Sequence, residues 1–320
     1  MTTFGLHLTD FHDSRFAGPR LFGAVRDIAC TAESSTGFDA LWLADHLQYL
    51  GPQGPTSSMP ESYVLLGALA AATSTVRLGV LATSVLYRSP ALLAKMVTTL
   101  DAVSAGRAVL GIGAGHPRTE QEHGTYGFEF PSVSERMRRL EDALEVIRAM
   151  VGSDESADAP PNWPRPLQPH GVPILVAGSG EQRLLRIAAK HADMINLSFP
   201  SGDSLARIPH KLSVLAEHCR TVGRDRRTIG VTYKAVLSIA DSGGEARDKW
   251  DAWRSARHIG DVGSLDGAFV GEPAQIIEQL QPWLEAGIDH IVVELPETDP
   301  KTVALAGETL AALTTTPRNR

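Results

Sequence analysis

At 320 residues, 43% hydrophobic and 21% charged, the chain has ordinary globular composition and length enough for a large α/β domain. A formal net charge of −7 argues against nucleic acid or an anionic membrane surface as the main partner, and Cys30 and Cys219 stand too far apart for a disulfide scaffold or structural zinc site. The first residues, MTTFGLHLTDFHDSRF, lack the basic start and apolar run of a signal peptide, and no later window has the apolar length of a membrane span, so a cytoplasmic protein acting on a small molecule is expected.

In chain order the pattern is strand, then helix, repeated. Apolar runs that read as strands lie at 3–8, 40–44, 76–82, 108–111, 173–177, 193–197, 229–237 and 290–294. Helical periodicity fills the gaps at 21–32, 63–72, 91–103, 135–151, 181–190, 205–222, 275–286 and 302–313. Eight such units over one domain spanning 1–320 predict a (β/α)8 TIM barrel with insertions in its βα loops, and a doubly wound sheet is the other fold that alternates this way. Three stretches exceed the minimal unit: 48–61, rich in Gly, Pro and Ser; 153–171, with its prolines around Trp163; and the polar 241–266. The first and third follow strand ends, where a barrel builds its active site, and are candidate walls or lids.

Chemistry is therefore sought strand end by strand end. The first strand ends in Leu6-His7-Leu8, and the second runs LWLADH, placing Asp45 and His46 at the mouth, a carboxylate beside a group that moves protons near neutral pH. At the third exit, small and polar residues, Ala82-Thr83-Ser84-Val85, replace the strand before Pro90 opens a helix. The fourth strand carries Gly111, Gly113 and Gly115 at alternate positions, a face bare enough for something flat, followed by His116 and Pro117. Because Pro117 follows at once and no lysine is placed for a phosphate, this is neither a P-loop nor a dinucleotide fingerprint. The fifth strand ends in Ala177-Gly178-Ser179-Gly180 and enters a helix, a turn able to hold an anion. The run from His116 to His123 holds two His and two Glu, but without an HExxH helix it reads as a solvated polar segment and no metal is expected.

The blocks LWLADH, RLGVLATSVLYRSPALLAKMVTTLDAVSAGRAVLGIGAG, ERMRRLEDALEVIRAM and VPILVAGSGEQRLLRIAAKHADMINL together resemble the bacterial luciferase-like flavin and deazaflavin oxidoreductases, most of all the branch that uses coenzyme F420. The resemblance implies a homodimer and hydride exchange between F420 and a small substrate, with an FMN-dependent two-component monooxygenase as the alternative. It places a non-proline cis peptide at Ser84-Val85, so that Thr83, Ser84 and Val85 back one face of the ring, with Gly113 and Gly115 lining the groove. It matches Asp45 and His46 to the pair at the reactive ring edge, and Ala177, Gly178, Ser179 and Gly180 to the phosphate cradle. Two departures stand out: His116 replaces the Trp or Glu common in relatives, and PPNWPRP replaces an aromatic segment. From the first we expect His116 to protonate the substrate, with His46 as its competitor and Asp45 orienting the ring.

Overall fold

The computed structural model describes residues 2–11, 13–48, 58–152, 160–197, 204–256 and 268–314. The N-terminal part runs β1 (Thr3–Leu8), α1 (Leu21–Ser34), β2 (Ala40–Leu43), α2 (Ser62–Ala72), β3 (Arg77–Val80), β4 (Thr83–Ser84), α3 (Pro90–Val103), β5 (Ala108–Gly113), α4 (Glu120–Thr125) and α5 (Val133–Val151). It continues through β6 (Ile174–Ala177), α6 (Leu184–His191), β7 (Met194–Leu197), α7 (Ser204–Thr221), β8 (Gly230–Ile239), α8 (Gly243–Ala256), β9 (Ala268–Gly271), α9 (Pro273–Glu285), β10 (His290–Glu294) and α10 (Pro300–Thr314).

All named strand pairs are parallel, in the order β1-β2-β3-β5-β6-β7-β8, and β10 pairs with both β8 and β1. That last pairing closes the ring and excludes a doubly wound sheet, which has two open edges; the fold is the expected (β/α)8 barrel. β9 stands outside the ring, paired only with the far half of β8 through Val236↔Ala268 to Ile239↔Gly271. Among the described residues no helix is long and apolar enough to cross a membrane.

Alternation along each strand sorts the core into two parts. Phe4, Leu6 and Leu8 face the helices, while Ala40, Trp42, Leu81, Val109, Leu175 and Val292 form a small cluster inside the ring. Trp42 fills that interior, 2% exposed, donating its indole N–H to Nε2 of His290 at 3.2 Å. Burying such a ring contributes on the order of 2–3 kcal/mol. Glycine makes the room: a Cβ on Gly5 would lie 2.5 Å from the indole nitrogen, and one on Gly79 2.7 Å from the ring. Outside the ring, α5 buries Leu140, Ala143, Leu144, Ile147 and Val151 at helical spacing and is capped by Ser132, which accepts from Glu135 N–H at 3.3 Å.

Several expectations are corrected. The cis peptide lies at Leu81–Ala82, not Ser84-Val85. The expected position is occupied by ladder bonding: Ser84 pairs with Gly113, and Val85 N–H donates to Gly113 O at 2.9 Å. The polar stretch 241–266 is not all loop, because Ala246 and Trp250, four apart, give α8 one narrow buried stripe within an otherwise polar sequence. Residues 49–57, 153–159 and 257–266 of the three long stretches lie outside the described residues. The helix after β6 starts at Leu184 rather than residue 181, so a turn separates Gly180 from its first residue.

Candidate active site

The C-terminal ends of the strands surround a cavity of about 670 Å³. Of the residues singled out by sequence, Asp45, His46, Thr83, Ser84, Gly113, Gly115, His116, Ala177, Gly178, Ser179 and Gly180 all line it. Val85 does not; its side chain is buried in the packing between barrel and helices.

The lining falls into two arcs in strand order. On the near arc, from β2 through β6, the walls are bare. Gly111 is demanded by the fold, since a Cβ there would sit 2.0 Å from the carbonyl oxygen of Val80. Gly113 is not: its Cβ would meet only Ala177, O at 3.5 Å and Cβ at 3.8 Å, ordinary contacts, so the missing side chain serves the cavity rather than the packing. Gly178 has φ +131° and a Cβ would clash with Leu184, whereas Gly180 has room. The near arc is thus a slot with small walls beside a turn of exposed backbone, the form a flat ligand with an anionic tail requires.

Asp45 is buried and fully engaged. Arg88 clamps it with Nη1 at 2.6 Å from Oδ2 and Nη2 at 3.1 Å from Oδ1, Ser62 donates to Oδ1 at 2.8 Å, and Thr83 Oγ1 donates to Oδ2. Arg88 also holds Glu61 and lies over the Tyr63 ring. Burial alone would weaken the Arg88 charge, but the bonds to Asp45 raise its pKa above the ordinary arginine value. The carboxylate therefore braces the β4 corner, tying the end of β2 to β4, to the segment before α3 and to the start of α2.

His46, partly exposed to the cavity, directs Nδ1 at Oε2 of Glu122, 3.0 Å away. Glu122 is fully buried, and Oε1 accepts the Leu47 N–H. Burial pushes the Glu122 carboxyl up, yet the bonds from His46 and Leu47 outweigh it and hold it below the usual carboxylate range. An ionised carboxylate only accepts, so Nδ1 carries the hydrogen and Nε2 is the nitrogen left for chemistry. Glu122 escaped the sequence reading because its segment, 116–123, looked solvated. No apolar residue in EQEHGT marks a buried face of α4; only the structure shows Glu122 and His123 turned inward, with His123 stacked on Tyr87 at 4.4 Å between ring centres.

His116 also lines the cavity, but its Nδ1 accepts the Arg118 N–H at 3.2 Å and caps a 3-10 turn, Pro117–Thr119. Partial burial first, then Arg118, lower its pKa. Its neutral form is favoured, and protonating Nδ1 would break the cap.

The far arc, from β7 to β10, carries polar groups that the sequence reading missed. Lys234 on β8 pairs with Glu294 on β10, Nζ to Oε2 2.8 Å, and both line the cavity with Asn196 and Trp253. Glu294 closes its strand as Asp45 follows β2, so the strand-end rule would have found it; Lys234 sits inside a ten-residue strand, where nothing marks a mouth. No group of three or more His, Cys, Asp or Glu among the described residues is arranged to hold a metal.

Comparison with known proteins matches this architecture. Residues 2–266 match the model of the luciferase-like monooxygenase family. The chain is 27% identical over 314 residues to an F420-dependent glucose-6-phosphate dehydrogenase of Nocardia farcinica, covering 88% of this chain and 90% of that protein. It is 32% identical over 307 residues to the 5,10-methylenetetrahydromethanopterin reductase of Archaeoglobus fulgidus, covering 83% and 87%. The solved coenzyme F420 dependent tetrahydromethanopterin reductase of Methanopyrus kandleri superposes with a TM-score of 0.72 at 18% identity, over 96% of this chain and 98% of that one.

Proposed function

Because this chain belongs to the luciferase-like monooxygenase family, we propose that it is an oxidoreductase that binds coenzyme F420 along the near arc and exchanges a hydride with a small organic substrate held against the far arc. The observation that carries this reading is the Glu122–His46 pair set beside a glycine-walled slot whose Gly113 the packing does not require. The relatives named for F420 support the choice of coenzyme.

F420 is a deazaflavin and supplies a two-electron hydride when bound. Thr83, Ser84, Gly113 and Gly115 would seat its flat ring, and Gly178, Ser179 and Gly180 its phosphate. The Asp45–Arg88 clamp keeps the β4 corner in place under that seat. When a C=O, C=N or C=C bond is reduced, the carbon that gains hydride leaves its neighbour needing a proton. His46 Nε2 is the group we assign to give that proton, or to take it in the reverse direction, while ionised Glu122 fixes the ring and stabilises the imidazolium. His116, held by its cap, is a wall of the pocket rather than the proton donor.

The deciding experiment is a side-by-side titration of the purified protein with F420 and FMN. Affinity for F420 at least about tenfold higher supports the reading; preference for FMN, with turnover that consumes oxygen, replaces it with a two-component monooxygenase, the reading that the family's description favours. A homodimer belongs to the same proposal: Val64 on α2 is 75% exposed and Leu92 on α3 53% exposed, apolar surface that a second copy would cover. Light scattering at twice 34.3 kDa is the expected result, and a mass of one chain rejects it.

A further inference from the structure

The far arc holds polar groups that the hydride and proton steps do not use. Among the described residues lining the cavity, Lys234 is the single lysine or arginine, since Asp45 takes its cation from Arg88 behind the wall. Its ammonium has three donors, one spent on Glu294, and its side chain is 36% exposed while that of Glu294 is 7% exposed. The ammonium is therefore held by a buried carboxylate and presents its remaining hydrogens to the cavity.

A second observation lies beside it. His7, near the end of β1, is 3% exposed and does not itself line the cavity; it packs against the Leu43 backbone within the field of Lys234 and Glu294. Burial first, then Lys234, keeps His7 neutral, with Glu294 pulling the other way; one of its nitrogens then carries a hydrogen able to donate. β8, β10 and β1 are consecutive in the closed ring, which brings these groups together opposite the glycine-walled slot.

We propose that the ends of β8 and β10 form a subsite for a carboxylate on the substrate, in which Lys234, fixed by Glu294, is the specificity-determining donor. This rests on the near arc being the coenzyme site. A carboxylate bridging to Lys234 completes an acid–lysine–acid set in which the ammonium satisfies both oxyanions, an arrangement a neutral amide or ester cannot match. The reacting carbon of such a substrate then lies between the lysine and His46, with its charged group held away from the hydride path.

The test compares small 2-oxo acids and 2-enoic acids with their primary amides by calorimetric titration, on wild type, Lys234→Met and Lys234→Arg, each with and without saturating F420. Wild type is expected to bind the acids about tenfold or more tightly than the amides. Lys234→Met should lose that preference with its affinity for F420 unchanged, and Lys234→Arg should restore part of it. Equal binding of acid and amide by wild type overturns the proposal, as does a preference that survives in Lys234→Met. A tenfold loss of F420 affinity in Lys234→Met overturns it differently, by giving the lysine to the acidic tail of the coenzyme. Because the acid-to-amide ratio is also read without coenzyme, a wild type that ignores F420 yet prefers acids sinks the coenzyme reading and keeps the subsite.

Discussion

At the scale of single residues, the proton assignment turns on which imidazole is free to change charge. His46 is backed by a buried carboxylate held ionised, and His116 is committed through Nδ1 to a backbone N–H. His46→Ala should therefore lower turnover by about 10²–10⁴-fold, Glu122→Gln by at least about tenfold because the imidazolium loses its counter-charge, and His116→Ala by a few-fold at most. Steady-state rates at saturating coenzyme read all three, and an inactive His116→Ala beside an active His46→Ala would reverse the assignment. The Asp45-His46 pair was legible because it directly follows an apolar strand. What each of them touches was not: Arg88 is 43 residues downstream of Asp45 and Glu122 is 76 downstream of His46, and only the side-by-side order of β2, β3 and β5, with β4 on β5, makes them neighbours.

Elements were read well where they carry the ring and poorly where they leave it. The eight barrel strands announce themselves as apolar runs because both faces are buried, one against helices and one against the interior. β9 and α8 were overlooked because they pack on one side of a single strand and need only a few apolar residues, such as Phe269, Ala246 and Trp250. The glycines of β5 separate the two demands made on one strand. Gly111→Ala should destabilise severely or prevent folding, since its Cβ meets the Val80 carbonyl at 2.0 Å and backbone cannot step aside. Gly113→Val should keep its melting temperature within a few degrees but lose coenzyme affinity by about tenfold or more. Calorimetry and a coenzyme titration on the two variants distinguish them, and a stable Gly111→Ala would show that β3 and β5 approach less closely than described.

For the whole molecule, the interior of the ring couples stability to pH. Burial holds His7 and His290 below the ordinary histidine value of 6.5, with Lys234 adding to the effect at His7. Below that value the unfolded chain binds protons that the native state refuses, so stability present above 6.5 is lost as pH falls towards the depressed native values. The slope is at most about 1.4 kcal/mol per pH unit for each histidine. Urea midpoints should fall between about pH 7.5 and about pH 5.5, and flat midpoints across that range would contradict the burial of both rings. Glu122 adds a further loss below the ordinary glutamate value of 4.5, as the pH passes through its lowered native value and its proton uptake removes the acceptor from His46. Trp42, seated on His290 among Val109, Leu175 and Val292, stops the barrel like a cork. Among the described residues, that stopper closes the way through the ring, so the cavity is reached from the side of the strands' C-terminal ends.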